Sequence, residues 1–188
     1  MIERTFVMIK PDGVKRALIG EIIKRFETVG LKLVGMRMTW VNAEFAKRHY
    51  PLDEEWARSL FEKNKNSAEK NGRPFEFSDH LEFGGLIQKR NMNYIIEGPV
   101  IAMVWEGIHA IEIVRKIVGS TEPRQAIPGT IRGDFTHVSY QYSDNKDISV
   151  RNLIHASSDP KAAEYEISLW FENKELHTYK NVHDTSVY

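Results

Sequence analysis

The chain has 188 residues, of which 41% are hydrophobic, so it can bury one good core but is too short for two comfortable domains. Lysine plus arginine and aspartate plus glutamate each number 26, which makes the formal net charge zero and argues against a protein that binds nucleic-acid phosphates. The absence of cysteine excludes disulfides, thiolate zinc sites and cysteine nucleophiles.

The sequence shows no signal for export or membrane insertion. The residues after Met1 lead directly into a strand-like run, without the charged and apolar regions of a signal peptide. No apolar run approaches the length of about 20 residues that a membrane span needs. We therefore expect a cytoplasmic protein with no membrane and no nucleic-acid partner.

The first third of the chain predicts a strand, a helix and a second strand. Residues 4–9 are rich in strand-forming types and end at the sequence KPDG, which predicts a turn at 10–13. Residues 20–29 have apolar side chains at helical spacing, and Gly30 stands where a glycine commonly ends a helix. Residues 31–40 alternate loosely and predict a partly buried strand.

A polar stretch follows, and after it the pattern of strand, helix and strand is repeated. Short helices are predicted at 43–50 and 54–63, and a helix at 81–96 that Gly84 and Gly85 interrupt early. The most apolar run, at 99–105, predicts a central strand, and 108–118 an amphipathic helix. Residues 120–135 predict a loop, 142–147 an exposed turn or hairpin, and the run before His155 a short final strand.

This element order is that of a split βαβ fold with right-handed crossovers. We therefore predict an α+β, ferredoxin-like fold, in which a four-stranded antiparallel sheet carries helices mostly on one face.

His155 lies at the junction between the final strand and a helix that begins with Asp159 and Pro160. In that helix Asp159, Ala163 and Glu166 fall on one face, so the carboxylate of Glu166 can reach back toward the imidazole. A histidine with a carboxylate behind it can act as an oriented base or nucleophile. A purely structural histidine beside an unrelated glutamate is the alternative.

Five stretches in register resemble the nucleoside diphosphate kinase family. They are KPDG at 10–13, Arg115 with Thr121, PGTIRGDF at 128–135, NLIHAS at 152–157 and EISLWF at 166–171. The resemblance covers residues 4–50 and 98–134 and resumes from 151 to the C-terminus. No P-loop and no His-Arg-Asp kinase loop occurs in the sequence, which excludes those two kinase classes.

The resemblance implies that His155 is the nucleophile of a ping-pong transfer of the γ-phosphoryl group between nucleoside triphosphates and diphosphates. It implies that Ser157 helps Glu166 to hold the imidazole in one tautomer, and that Mg²⁺ arrives with the nucleotide rather than on a cage of protein ligands. The implied substrate-binding residues are Lys10, backed by Tyr50, with Asn152 at the ribose and phosphates, and Arg115, Thr121 and Arg132 at the phosphate chain.

The chain departs from shorter family members by two insertions, near 51–80 and 139–149, within one predicted domain of residues 1–188. The first insertion adjoins the helices that supply an apolar platform for the base, and Phe75 and Phe83 both partly match that platform. The family forms hexamers or tetramers, so we expect a homo-oligomer. A catalytically inactive ferredoxin-like binding or scaffold module is the rival function. The other six histidines are predicted to be structural or exposed.

Overall fold

Four strands and ten α-helices account for most of the regular structure in the computed structural model, which describes residues 2–70, 72 and 74–186. The strands are β1 (Ile2–Ile9), β2 (Lys32–Thr39), β3 (Val100–Ile108) and β4 (Ile154–Ala156). The helices are α1 (Pro11–Lys15), α2 (Ile19–Thr28), α3 (Ala43–His49), α4 (Glu54–Lys70), α5 (His80–Ile95), α6 (Ala110–Val118), α7 (Ile131–Phe135), α8 (Tyr140–Asn145), α9 (Pro160–Trp170) and α10 (His183–Ser186). Short 3₁₀ turns lie at Pro123–Gln125 and Asn173–Glu175.

The strands form one sheet in the order β2-β3-β1-β4, and all neighbouring strands are antiparallel. This arrangement confirms the predicted α+β class and its four-stranded antiparallel sheet. The short strand β4 lies at an edge, where Val7 pairs with Ala156 and Met8 with His155. The pairing fixes the position of His155 relative to the centre of the sheet.

Helices cover both faces of the sheet, which corrects the prediction that they lie mostly on one. Side chains alternate along a strand, so Val7 of β1 faces α2 and α6, whereas Met8 faces α3, α5 and α9. Both side chains are fully buried. Burying a side chain of this size stabilises the fold by roughly 1.5–3 kcal/mol, and a strand that is apolar on both sides therefore requires two layers of cover.

Several segments predicted as turns or interrupted helices are continuous helices. The KPDG sequence begins α1, since Pro11 occupies the first helical turn, where its missing N–H costs nothing. Ser139 caps α8 by accepting a hydrogen bond from the amide of Tyr142. Helix α5 continues through Gly84 without interruption. The missing side chain of Gly84 allows Ala57 of α4 to approach, and an added Cβ would lie 2.8 Å from the Cβ of Ala57.

Helix α4 and the segment after it pack on α5 through an aromatic cluster composed of Phe61, Phe75, Phe77 and Phe83. Arg90 of α5 in turn binds Asp144 and Asp147, which lie in and just after α8. The regions predicted as insertions are thus attached to the same helix. Within the part of the chain that the structure describes, no helix has the length and apolarity needed to cross a lipid bilayer.

Candidate active site

His155 follows a backbone segment that is held in an unusual conformation. Leu153 has a φ of 68°, in the left-handed region that residues other than glycine rarely adopt, at a cost of about 1–2 kcal/mol. Its amide donates to Oδ2 of Asp12 at 3.2 Å, and its carbonyl accepts from the amide of Lys10 at 2.8 Å. These two contacts with the β1–α1 junction fix the point at which β4 begins and therefore the position of His155.

The imidazole of His155 is oriented by a carboxylate from α9. Nε2 of His155 lies 2.7 Å from Oε1 of Glu166, and the hydroxyl of Ser157 donates to the other carboxylate oxygen at 2.5 Å. Asp159 caps α9 by accepting a hydrogen bond from the amide of Ala162, so the helix begins where the sequence predicts. Because a carboxylate accepts, Nε2 carries the proton in the neutral ring and Nδ1 keeps its lone pair.

A second histidine, His49 of α3, is buried beside His155, with their ring centroids 4.8 Å apart. Its Nδ1 accepts a hydrogen bond from the indole of Trp170 at 3.2 Å. Burial holds the pKa of His49 well below its usual range, and the nearby charges of His155 and Lys10 lower it further. The ring is therefore neutral at physiological pH. Its contact with His155 joins residues far apart in the chain, and no sequence spacing predicts it.

His49, His155 and Glu166 offer ligand atoms that all lie within 4.8 Å of one another, a separation that would suit a metal ion. Hydrogen bonds already engage Nδ1 of His49 and both carboxylate oxygens of Glu166. Nε2 of His49 is buried without a hydrogen-bond partner among the described residues, whereas both oxygens of Glu166 are engaged in the contacts that orient His155.

Lys10 and Asn152 form a polar pair beside His155. Nζ of Lys10 donates to Oδ1 of Asn152 at 2.8 Å, and the amide nitrogen of Asn152 donates to the carbonyl of Thr121 at 2.9 Å. Burial, followed by the charge of Arg132, lowers the pKa of Lys10 to about 7. In the free protein Lys10 is therefore partly neutral at physiological pH, and a nearby anion would favour its protonated form.

The ring of Tyr94 lies against Lys10, and the role of Tyr50 in backing the lysine stays a prediction. The ammonium lies 4.8 Å from the centroid of the Tyr94 ring, a cation–π contact. Tyr50 packs against His49, with ring centroids 4.5 Å apart, and lies 6.4 Å from the ring of His155. Burial raises the pKa of the Tyr50 phenol above its usual range, so the hydroxyl stays protonated and can donate.

Arg132 of α7 connects three backbone segments of the site. Its guanidinium donates to the carbonyls of Gly119, Asn152 and Ile154 at 3.0, 3.1 and 2.6 Å. The end of α6 and both sides of the strained Leu153 are therefore tied to one cation. Burial lowers the pKa of Arg132 to about 10, so it is charged at neutral pH.

One cleft of about 980 Å³ joins these residues to α4 and α8, which lie in the regions predicted as insertions. Trp56 and Leu60 of α4 line one part of it, and Tyr140 and Ser143 of α8 another. The cleft is therefore longer than the reaction centre, and both predicted insertions contribute to its walls.

The structure distinguishes between the two phenylalanines that match the family's base platform. Phe83 of α5 lines the cleft, one helical turn before Ile87, which also lines it. Phe75 packs inside the aromatic cluster, with its ring centroid 5.3 Å from that of Phe83, and is not among the lining residues.

Known proteins are similar to this chain in sequence and in fold. A family model described as nucleoside diphosphate kinase matches residues 3–71 and 86–176. A nucleoside diphosphate kinase from Archaeoglobus fulgidus is 42% identical over 187 residues, covering 100% of this chain and 98% of the relative. The chain belongs to the nucleoside diphosphate kinase family.

Solved structures of this family superpose closely on the chain. An NDP kinase from Pyrobaculum aerophilum matches with a TM-score of 0.88 and 39% identity, covering 94% of this chain and 99% of that one. The kinase from Borrelia burgdorferi, solved as a transition-state mimic with vanadate and ADP, matches with a TM-score of 0.80 and 37% identity, covering 98% and 95%. The ferredoxin-like fold and the family prediction are both confirmed.

The activity that follows is transfer of a γ-phosphoryl group from a nucleoside triphosphate to a nucleoside diphosphate. The cleft collects eight of the nine site residues that the sequence indicates, and Ser157 lies behind them against Glu166. Those lining it are Lys10, Tyr50, Arg115, Thr121, Arg132, Asn152, His155 and Glu166. His49 and Tyr94 are the neighbours that sequence reasoning missed.

Proposed function

We propose that Nδ1 of His155 is the nucleophile of this kinase. The observation that carries the proposal is the 2.7 Å contact between Nε2 and Glu166, which leaves the lone pair on Nδ1. Nδ1 attacks the γ-phosphorus, an N–P bond forms, and the bond from phosphorus to the β,γ-bridging oxygen breaks with its electron pair on the departing diphosphate. A second diphosphate then attacks the phosphohistidine and restores the neutral ring.

Glu166 and Ser157 are assigned to orientation and charge. A phosphorylated imidazole with a proton on Nε2 is cationic, and the facing carboxylate stabilises that charge as it forms. The hydroxyl of Ser157 fixes the second oxygen of Glu166, so the carboxylate cannot rotate away from the ring. Both residues act on His155 rather than on the nucleotide.

The phosphate chain is assigned to Lys10, Arg115 and Arg132, with hydrogen bonds from Thr121 and Tyr50. Phosphoryl transfer needs positioning and neutralisation of charge more than covalent help, and guanidinium and ammonium groups provide both. Asn152 is assigned to the ribose hydroxyls, beside Lys10. These six residues and His155 lie along one cleft, which supports this division.

Mg²⁺ is proposed to enter on the phosphates of the nucleotide. Glu166 and Glu122, two of the carboxylates that line the cleft, are already hydrogen-bonded to protein groups. The cations Lys10, Arg115 and Arg132 suit a magnesium–nucleotide complex that brings its own ion. When bound, Mg²⁺ would neutralise charge on the β- and γ-phosphates.

We also propose that the chain is a single cytoplasmic domain that assembles into a homo-oligomer, a hexamer or a tetramer. The edge strand β2 supports this assembly, because Met36 and Met38 are 54% and 59% exposed and Trp40 follows directly, also exposed. Exposed apolar side chains on an edge strand favour pairing with a second copy. Sedimentation of Met38→Lys beside the unmodified protein tests this proposal; an unchanged mass would contradict it.

A brief incubation with γ-labelled ATP tests the mechanism. We expect acid-labile, base-stable label on the protein, located at His155 and lost in His155→Ala, and transfer of that label to added GDP. Label that resists acid or survives in His155→Ala would refute the phosphohistidine. A protein that binds nucleotide but never becomes labelled would be the inactive binding module instead.

A further inference from the structure

One wall of the cleft is built by α5. Phe83, Ile87 and Asn91 are spaced four residues apart, so they lie on one face of the helix, and all three line the cleft. Two apolar side chains are thus followed by one amide. Apolar side chains offer a surface on which a base can stack, so the base of a bound nucleotide would lie against Phe83 and Ile87, given the function proposed above.

The amide of Asn91 is held in one orientation by Ser149. The hydroxyl of Ser149, which is buried, donates to Oδ1 of Asn91 at 2.6 Å. A serine hydroxyl has a single proton, so this bond directs the amide oxygen toward Ser149 and turns the NH₂ group away from it. Among the described residues, no hydrogen bond uses the Asn91 NH₂, and the side chain lines the cleft.

The segment that carries Ser149 is fastened to the same turn of α5. Arg90 donates from Nη1 to Asp144 and from Nε to Asp147, both at 2.9 Å. Two charged contacts and the Ser149 bond therefore hold the second inserted region against α5. A donor that is oriented before the ligand binds loses little freedom on binding, which makes it suited to selection between ligands.

We propose that Asn91 reads the base by donating a hydrogen bond to a carbonyl oxygen on its edge. Guanine O6 and uracil or thymine O4 are acceptors, whereas adenine and cytosine carry an amino group at the same place. An amino group would face the NH₂ of Asn91, donor against donor, and leave both unpaired. The enzyme should therefore prefer guanine and uracil nucleotides over adenine and cytosine nucleotides by about tenfold to a hundredfold.

The ping-pong cycle allows a direct test, because the acceptor can be varied while the phosphoenzyme stays the same. The protein is labelled with γ-labelled ATP, freed of nucleotide, and mixed with GDP, UDP, ADP or CDP in single-turnover experiments. We expect GDP and UDP to remove the label fastest at subsaturating concentration. Asn91→Leu should make the four acceptors similar, and Asn91→Asp should favour ADP and CDP, because a carboxylate accepts from an amino group.

Two further variants separate recognition from packing. Ser149→Ala leaves Asn91 in place but frees its amide to rotate, so the preference should shrink without inverting. Asn93→Asp places the same charge on the exposed side of α5 and should leave the order of acceptors unchanged.

Equal rates for all four acceptors, or an order that persists in Asn91→Leu, would overturn the assignment while leaving the phosphohistidine intact. A protein that ATP never labels would defeat the proposed function, and the base assignment with it. The two failures are therefore distinguished by whether label appears before any acceptor is added.

Discussion

Two regions of the cleft, the surroundings of His155 and the wall formed by α5, are built in different ways. Around His155 the partners Glu166 and Ser157 are buried, and His155 and Ser157 engage both carboxylate oxygens of Glu166. At the wall formed by α5, where we propose that the base binds, Arg90 contacts Asp144 and Asp147, whose side chains are 55% and 79% exposed. Chemistry that depends on one orientation of an imidazole needs fixed geometry. At the wall formed by α5 the contacts of Arg90 end on exposed carboxylates, and the loss of one of them should cost less.

This difference predicts that the largest losses of turnover and stability come from substitution of Arg132, which joins three backbone segments beside His155. In Arg132→Ala we expect turnover to fall by roughly 10²–10³, because a donor to the transferring phosphoryl group is lost. The free energy of unfolding should also fall, by roughly 2–4 kcal/mol, because two buried carbonyls and one part-buried carbonyl lose their partner. Steady-state kinetics and urea unfolding measure the two effects. Normal stability in the variant would contradict the bridging role.

The carboxylate behind His155 should give a smaller loss that is confined to the chemical step. Glu166→Gln keeps the shape but removes the charge that stabilises the imidazolium, so phosphoenzyme formation should slow by roughly 10–100-fold. The nucleotide dissociation constant should hardly change, because Glu166 contacts His155 and Ser157 rather than phosphate. Rapid-quench labelling and equilibrium binding separate the two. A weaker affinity at an unchanged rate would remove Glu166 from its proposed role.

Lys10 should make nucleotide binding depend on pH. With a pKa of about 7 the lysine is mostly neutral at pH 8, and the phosphates of ADP favour its charged form, so binding should take up nearly one proton. Calorimetry in buffers of different ionisation enthalpy measures this uptake, which Lys10→Met should abolish. Binding by the unmodified protein without proton uptake at pH 8 would contradict the prediction.

The lowered pKa of Lys10 also affects the free energy of unfolding. Between pH 7 and 10.5 the unfolded chain binds the proton of Lys10 more tightly than the folded protein does, so the free energy of unfolding contributed by this group rises with pH. Below pH 7 both states are protonated, and the cost of burying the charge is fully present. Lys10→Met should lose this rise when unfolding is measured at pH 7 and pH 9.

The smallest effect on stability and catalysis is expected when Arg90 of α5 loses its contacts. Arg90→Gln breaks contacts with exposed aspartates, so the stability loss should stay below about 1 kcal/mol. The Michaelis constant for nucleotides should rise a few-fold while the rate of labelling at saturation is unchanged. Arg58→Gln is the control, because that arginine pairs with Glu54 on the exposed side of α4. Equal effects in the two variants would mean that the contacts of Arg90 with Asp144 and Asp147 do not shape the cleft.

Contacts between nearby residues could be predicted from the sequence alone. The spacing of Asp159, Ala163 and Glu166 on one helix, with His155 just before it, predicts the carboxylate–imidazole contact because an α-helix repeats every 3.6 residues. The order of strands and helices predicts the sheet for a similar reason, since short connections leave few topologies. The family motifs predict the residues that surround the cleft.

Long-range packing decided the rest. Tyr94 lies against Lys10 and His49 lies against His155, because α3 and α5 pack on the face of the sheet where the sequence predicts few helices. Phe83 rather than Phe75 lines the cleft because of how the segment that carries Phe75 packs on α5. Such contacts join segments of the chain through side-chain shape and burial, and periodicity carries no information about which of two similar side chains meets a distant partner.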